Sequence, residues 1–416
     1  MEKIKIEVRR DQKCPICKEN FFDAEGKLVK AMNINSDLIG PAHDACFFPY
    51  YNEDKLKILY QVRCYSIGDT IASTPVLREI KRCYPRAQIG VLTFFPDLFK
   101  YNPHVNEIID INQTIYDKML DPYVFRIDSF NSDRGQHFAM HSIEFSAMSS
   151  LARSLNIKDW QYEVNYSDIE HDRMLEECAS HGIDVHEDKV IVVHPHGTEW
   201  PTRDWGKKHF LELYYKIRDK YPDYKIVSIG GKRTEVPART MNNHVELPGC
   251  IDLYGRFSLL ESLAFLNTEC VKLIVTPDTG ALHIAGCTAD KPIVGIFTLV
   301  RGEFRTPVRK EEFGYKFKSI NADNPCCCTY TNRFLTNEAH FEFCPKQTFL
   351  KNTLKSDLPY KLKHEGMKNY DSTRNWDVDQ INMEIREELK VYDNLPCYPT
   401  IEKVMRAIDE FLRPVS

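Results

Sequence analysis

Short apolar runs and amphipathic patterns alternate along the first half of the chain. Runs at Lys57–Arg63, Gln88–Phe94 and Val105–Ile111 predict buried strands. Between the first two runs, apolar residues recur at helical spacing, and Pro75 suits the early part of that helix because its missing N–H costs little there. This alternation predicts parallel strands joined by crossover helices.

The same alternation returns after residue 188. The predicted elements are a strand at Val190–Val193, a helix at Lys207–Lys220, a strand at Lys225–Ile229, a helix at Leu259–Leu266, a strand at Lys272–Val275, a helix at Thr279–Cys287, a strand at Pro292–Phe297 and a closing helix at Thr400–Leu412. We assign no elements over 112–188 or directly after Arg309. Two consecutive α/β halves predict two open-sheet domains facing a cleft, with ligands at the carboxyl ends of the strands.

Composition and charge narrow the class of protein. The 416 residues are 43% hydrophobic and 28% charged, which excludes a wholly disordered or collagen-like chain. The net charge of −5 does not favour nucleic acid as the main partner, and no apolar run approaches the ~20 residues of a membrane span. Fourteen cysteines without a secretory leader indicate a reducing cytoplasm. We therefore expect a cytoplasmic protein whose membrane contact, if any, is peripheral at the inner membrane.

Two cysteine pairs near the start have the spacing of a structural metal site. Cys14 and Cys17 form one knuckle, and His43 and Cys46 form the other. A Cys3His set suits tetrahedral Zn²⁺. The alternative is a chance cluster of thiols, but this polar segment offers little core for them to fill. We expect a structural zinc ion here.

Three loops in the second half carry groups that suit a nucleotide diphosphate. Asp278 or Thr279 caps a helix that follows a strand, and the free N–H groups of such a helix start attract phosphate. The loop from His194 to Lys207 adds hydroxyls and cations, and Gly230-Gly231 closes the next strand with room for a ligand. Each has a plainer explanation: a capped helix with a satisfied histidine, or a turn with a surface charge.

The first half carries a carboxylate at the equivalent place. Ser66-Ile-Gly-Asp69 is a tight turn that opens a helix. An aspartate in such a turn is commonly the N-cap of the helix, and this is the plainer interpretation of Asp69. The alternative is a general base, because a carboxylate facing the cleft could take a proton from an acceptor hydroxyl.

These motifs together resemble glycosyltransferase family 9, the ADP-heptose-dependent heptosyltransferases, over roughly residues 57–310 and the final helix. The residues that carry the resemblance are Ser66–Asp69, Thr74–Lys81, Tyr84-Pro85, Asn102–Val105, His194–Gly197, Arg203–Trp205, Gly230-Gly231, Asp252–Gly255 and Asp278–His283. The resemblance implies a GT-B fold of two Rossmann-like domains, inversion at the anomeric carbon and no catalytic metal. It also implies that Asp69 is the base. The implied donor-binding residues are Thr198, Arg203, Lys207, Gly230, Gly231, Asp278, Thr279, Gly280 and His283. Arg203 stands where members commonly carry lysine.

A second cysteine cluster resembles the iron-binding finger of the bacterial autotransporter heptosyltransferases, a branch of that family. Its candidate ligands are Cys326, Cys328, Cys344 and Cys397, for iron or zinc. Here the first pair is compressed into three adjacent cysteines, unlike the finger that it resembles. The remaining cysteines are interpreted as core residues: Cys64, Cys83, Cys178, Cys250, Cys270 and Cys287.

The predicted architecture is α/β with five parts. These are a zinc-ribbon-like segment (1–54), an acceptor domain (55–188), a nucleotide-sugar domain (189–310), a cysteine-containing finger with a polar insertion (311–399) and a closing helix (400–416). The expected activity is transfer of heptose from ADP-heptose to a hydroxyl on a protein or glycan. Two alternatives stay open: a GT-B transferase with another donor that acts on modified nucleobases, and a non-catalytic zinc-bearing binding protein. The acceptor and any homo-oligomer are also open.

Overall fold

The computed structural model describes the protein over residues 31–32, 42–43, 56–62, 66–113, 125–128, 143, 157–196, 205–231, 244–288, 290–298, 301–307, 316–322 and 398–413. The chain divides into two compact units. One comprises residues 1–132 and 143–165, and the other comprises residues 133–142 and 166–416. No helix within the described ranges is both long and apolar enough to cross a bilayer.

The first unit contains a parallel sheet and a separate strand pair. The pair is antiparallel and joins β1 (Ala31–Met32) to β2 (Ala42–His43). The described strands of the sheet are β3 (Lys57–Val62), β4 (Gln88–Thr93), β5 (Glu107–Asp110) and β6 (Phe125–Asp128). Their order is β5-β4-β3-β6, with every pairing parallel. The strands predicted from the three apolar runs are confirmed, while β6 falls in the stretch that we left unassigned.

Two short helices follow β3 where the sequence predicts one. α1 covers Ile67–Ala72 and α2 covers Thr74–Cys83, with Ser73 between them. Pro75 has no N–H to donate to the carbonyl of Ile71, so it cannot continue the α1 ladder. The hydroxyl of Thr74 donates to that carbonyl instead, at 2.8 Å. Pro75 therefore lies in the first turn of α2, as the pattern predicts.

The second unit is built on a larger parallel sheet. Its described strands are β7 (Val190–Val193), β8 (Lys225–Gly230), β9 (Ile251–Tyr254), β10 (Val271–Pro277), β11 (Ile293–Phe297) and β12 (Phe317–Asn321). They lie in the order β12-β11-β10-β7-β8-β9, and every pairing is parallel. Counted along the chain this is the 6-5-4-1-2-3 order of a doubly wound Rossmann sheet. The α/β class with parallel sheets is therefore confirmed.

Helices pack on this sheet through apolar stripes. The described helices of the unit are α3 (Asp168–Ser180), α4 (Lys207–Lys220), α5 (Leu259–Asn267), α6 (Gly280–Gly286) and α7 (Ile401–Leu412). α4 and α7 share one core with alternate residues of β7, β10 and β11, as expected for one face of a pleated sheet. In that core Trp205 is fully buried, and its indole N–H donates to the carbonyl of Pro399 at 2.9 Å. The predicted closing helix is thus confirmed as α7, and the structure places it in the second unit.

One α-helix and two strands among the described elements of the second unit were not predicted. α3 buries only a narrow stripe, but Ser167 and Glu170 form a reciprocal capping box at its start. β9 carries the first three residues of the Asp252–Gly255 motif, and β12 is an edge strand in the stretch where the regular pattern stops. All three elements bury few of their residues, and the two strands are also short, so their apolar periodicity is too weak for pattern alone to detect them.

Candidate functional site

The second sheet reverses its winding direction between β7 and β10. These strands are paired neighbours although residues 194–270 separate them along the chain. The backbone N–H of His194, just after β7, donates to the carbonyl of Val275 in β10 at 2.9 Å. In doubly wound sheets, ligands bind at the carboxyl ends of the strands beside this reversal. The His194 loop and the Asp278 motif therefore leave the sheet at the position that favours ligand binding.

The Asp278–His283 motif opens α6 at this edge. Thr279 is the N-cap, and its side chain accepts the N–H of Ala281 at 3.2 Å, so the predicted cap is confirmed for Thr279. The N–H of Asp278 donates to the carbonyl of Ile296 at 3.2 Å, which ties the motif to β11. Thr279 and Gly280 are partly exposed, whereas Asp278 and His283 are each only 4% exposed. The partly exposed part of the motif is thus its cap and the first two helical residues, Gly280 and Ala281.

His194 presents an acceptor at the same edge. Its Nδ1 lies 2.7 Å from the carbonyl oxygen of Ile229 and must donate, because a carbonyl only accepts. Burial of the ring lowers the pKa of His194 to about 4. The ring is therefore neutral at pH 7, with its proton on Nδ1 and a lone pair on Nε2.

The glycine pair at the end of β8 does not offer the open space at Gly230 that the sequence suggests. A Cβ on Gly230 would lie 2.4 Å from Cδ2 of His196 and 2.7 Å from Cδ2 of Tyr254. The space beside Gly230 is thus occupied by the side chains of His196 and Tyr254 and is not open to a ligand. Gly231 is exposed, and a Cβ added there would meet no atom within 4 Å. Of the two residues, Gly231 is the one with open space beside it.

His196 was missed as a site residue by sequence reasoning. Its ring is 3% exposed and lies among other rings, 4.9 Å from His194, 5.4 Å from His244 and 4.5 Å from Tyr254 between centroids. His244 in turn lies 2.6 Å from Asp252 through Nε2. The available signal is a histidine three residues after a buried strand, together with a glycine pair at the end of the next strand.

The other predicted donor-binding residues divide into two groups. Lys207 is exposed in the first turn of α4, whose N-cap is Gly206 with φ +90°. Thr198 and Arg203 lie outside the described residues. The roles of all three in donor binding stay predictions.

In the first unit, Asp69 lies in the first turn of α1, the helix that follows β3 along the chain. Its N–H donates to the hydroxyl of Ser66 at 3.3 Å, so Ser66 is the N-cap. The interpretation of Asp69 as an N-cap is therefore wrong. The carboxylate is partly exposed near the point where this sheet reverses direction, between β3 and β6. A carboxylate at a helix N-terminus is stabilised in its charged form by the helix dipole.

Other residues behind the resemblance form a structural network in the first unit. Arg78 makes ion pairs with Asp159 at 3.0 Å and Glu163 at 3.1 Å. Glu163 also lies 3.2 Å from His104, and its N–H donates to the hydroxyl of Thr74 at 3.0 Å. These bonds fix the segment around residue 163 to the start of α2, which follows the α1 helix that carries Asp69.

The predicted metal ligands mostly lie outside the described residues. This holds for Cys14, Cys17, Cys46, Cys326, Cys328, Cys344 and Cys397. Only the backbone of His43 is described, in β2 opposite Ala31. Within the described part of the chain, no group of three or more His, Cys, Asp or Glu residues is placed to hold a metal ion.

The cysteines interpreted as core residues give a mixed outcome. Cys178 and Cys270 are buried as predicted, and Cys250 and Cys287 are partly buried. Burial raises the pKa of Cys178 and of Cys250 to about 12, so both thiols stay protonated at pH 7. Cys83 is exposed at the end of α2, and the core prediction for it is wrong. Cys64 lies outside the described residues.

Comparison with known proteins assigns the chain to an enzyme class. The family model described as glycosyltransferase family 9 (heptosyltransferase) matches residues 130–326, which include β7 to β12 and the Asp278 motif. The chain is therefore a glycosyltransferase. Residues 130–326 match the family 9 model, as the motifs predict. The match begins after Asp69, whose role it leaves untested. No curated protein matches the chain.

Several solved structures are similar to the chain at low identity. A family 9 glycosyl transferase from Veillonella parvula DSM 2008 is 17% identical with a TM-score of 0.48, covering 63% of this chain and 88% of that one. ADP-heptose LPS heptosyltransferase II of E. coli is 18% identical with a TM-score of 0.46, covering 64% and 90%. The iron-containing dodecameric glycosyltransferase TibC of enterotoxigenic E. coli H10407 is 13% identical with a TM-score of 0.47, covering 87% and 78%. The family match, and not these structures, carries the assignment.

Proposed function

We propose that the protein is an inverting, cytoplasmic GT-B glycosyltransferase that transfers heptose from ADP-heptose to a hydroxyl on a protein or glycan. One observation carries the proposal: the Asp278–His283 motif, inside the family 9 match, opens a capped helix beside the winding reversal of the second sheet. In this proposal the second unit binds the donor and the first unit binds the acceptor.

The proposed reaction is a single displacement. Asp69 takes the proton of the acceptor hydroxyl, whose oxygen attacks the anomeric carbon as the bond to the nucleoside diphosphate breaks. Negative charge builds on the leaving diphosphate. Arg203 and the N–H groups at the start of α6, near Thr279, would stabilise that charge, as preorganised donors do in other transfer enzymes. The protein itself would thus supply the positive potential, and we propose no catalytic metal.

We also propose structural metal ions apart from the reaction. Cys14, Cys17, His43 and Cys46 would hold zinc, a proposal supported by their Cys3His chemistry and by the β1-β2 pair, in which β2 includes His43. Cys326, Cys328, Cys344 and Cys397 would hold zinc or iron. Metal analysis of the purified full chain tests both sites.

Labelled donor and an Asp69→Asn variant test the function. The protein is incubated with ADP-heptose labelled in the sugar and with one acceptor in each reaction. The acceptors are a serine- and threonine-rich protein, a heptose-deficient lipopolysaccharide core and an oligonucleotide with modified bases. We expect label in the protein or glycan fraction, and at least a tenfold lower rate for Asp69→Asn with unchanged ADP binding. Asp97→Asn, an exposed aspartate of the same unit, is the matched control.

Two results would contradict the proposal. Label in the nucleic-acid fraction would favour the alternative of a transferase acting on modified nucleobases. A loss of less than tenfold for Asp69→Asn would remove the proposed base.

A further inference from the structure

His196 connects three segments at the carboxyl edge of the second sheet. The residue itself follows β7. Its Nδ1 accepts the backbone N–H of Val245, in the segment before β9, at 3.1 Å. Its Nε2 lies 3.3 Å from the hydroxyl of Ser228 in β8. One buried side chain thus bonds to two other segments of the edge.

These two bonds require one protonation state of the ring. Because Val245 donates to Nδ1, that nitrogen must carry a lone pair, and the proton of a neutral ring is then on Nε2. Nε2 can therefore donate to Ser228. A second proton on Nδ1 would place an N–H against the N–H of Val245. The neutral ring with its proton on Nε2 is the state that satisfies both neighbours.

The same ring determines where the glycine pair can lie. It packs directly on Gly230, where a Cβ would lie 2.4 Å from Cδ2 and 2.9 Å from Nε2 of His196. The ring of Tyr254 packs against the ring of His196 in a T-shaped arrangement, at 4.5 Å between centroids. Because interiors are close-packed, the backbone at Gly230 follows the position of this ring. The path of the exposed Gly231, one residue further on, then depends on His196.

We propose that His196 is a positioning residue for donor binding: its bonds to Val245 and Ser228 hold the carboxyl edge of β7 and β8, and with it Gly230-Gly231, in the conformation that binds the nucleoside diphosphate. This inference rests on the proposed function, since it assumes that the edge binds such a ligand. His196 acts on the ligand through the backbone that it holds.

The test measures binding of ADP to the full chain by calorimetry. His196→Phe keeps a ring but removes both bonds, and we expect the Kd for ADP to rise about tenfold. His196→Asn keeps an oxygen that can accept the N–H of Val245, and we expect rescue to within about threefold of the unchanged protein. His171→Asn, at a partly exposed position of α3, is the matched control and should leave the Kd unchanged.

The outcomes separate this inference from the proposed function. If the unchanged protein does not bind ADP, the proposed function fails. If the unchanged protein binds ADP and folded His196→Phe binds it equally well, the positioning role is overturned. The role is also overturned if His196→Phe and His196→Asn weaken ADP binding to the same extent. Should His196→Phe fail to fold, Ser228→Ala replaces it, because that variant removes a single partner. An unchanged Kd for Ser228→Ala would then overturn the inference.

Discussion

Gly230 and Gly231 offer a matched pair for testing the packing at the carboxyl edge of the second sheet. Alanine at 230 places its Cβ 2.4 Å and 2.9 Å from atoms of His196 and 2.7 Å from Tyr254. The buried ring of His196 cannot move freely, and overpacking of this kind costs about 1–3 kcal/mol. Alanine at 231 meets no atom within 4 Å, and neither glycine has a positive φ. Gly231→Ala should therefore be neutral or stabilising, by about 0.4–1 kcal/mol.

Urea denaturation followed by circular dichroism measures the difference. We expect the transition of the second unit to have a lower midpoint for Gly230→Ala than for Gly231→Ala, with a gap in unfolding free energy of roughly 1–4 kcal/mol. Adding His196→Ala to Gly230→Ala should recover part of the loss, because it removes the ring that the new Cβ meets. Equal midpoints for the two glycine variants would refute the packing that we describe.

Three further outcomes are expected. Thr279→Ala should lower the free energy of unfolding by about 1 kcal/mol, because it removes the N-cap bond to Ala281. Thr279→Ser keeps a hydroxyl and should not lower it; equal losses for the two variants in thermal unfolding would show that the cap is not the cause. His194 should titrate in NMR spectra with a midpoint of about 4. Because this folded pKa lies below the unfolded value of about 6.5, the neutral His194 ring contributes fully to stability above pH ~6.5, and this contribution declines as the pH falls towards 4. An NMR midpoint near 6.5 would contradict this. Purified protein should contain about two metal ions per chain if both cysteine clusters bind metal, and about one if only the Cys14 cluster does. Protein without bound metal would contradict both proposed sites.

Buried strands with strong patterns could be predicted from the sequence. Val190–Val193 is an unbroken apolar run, and all four residues are buried in the centre of the sheet. The cap at Thr279 was predictable for a similar reason, because a hydroxyl residue follows a strand and precedes an apolar helix. In these places a few neighbouring residues decide the local structure.

Long-range contacts decide what the sequence could not show. The role of His196 depends on Ser228 and Val245, which are 32 and 49 residues away. The crowding at Gly230 depends on the rings of His196 and Tyr254, so the glycine suggests open space until the sheet order is known. The split between α1 and α2 follows from Pro75, whose position suited a single helix equally well.

Calorimetric titration of the unchanged protein with nucleotide-sugars tests the central claim most directly. The proposed enzyme should bind ADP-heptose with a Kd in the range of ~1 μM to 1 mM that is typical of enzyme substrates. It should bind UDP- and GDP-sugars more weakly. Binding of a UDP- or GDP-sugar in preference to ADP-heptose, or of none of the three in this range, would contradict the claim.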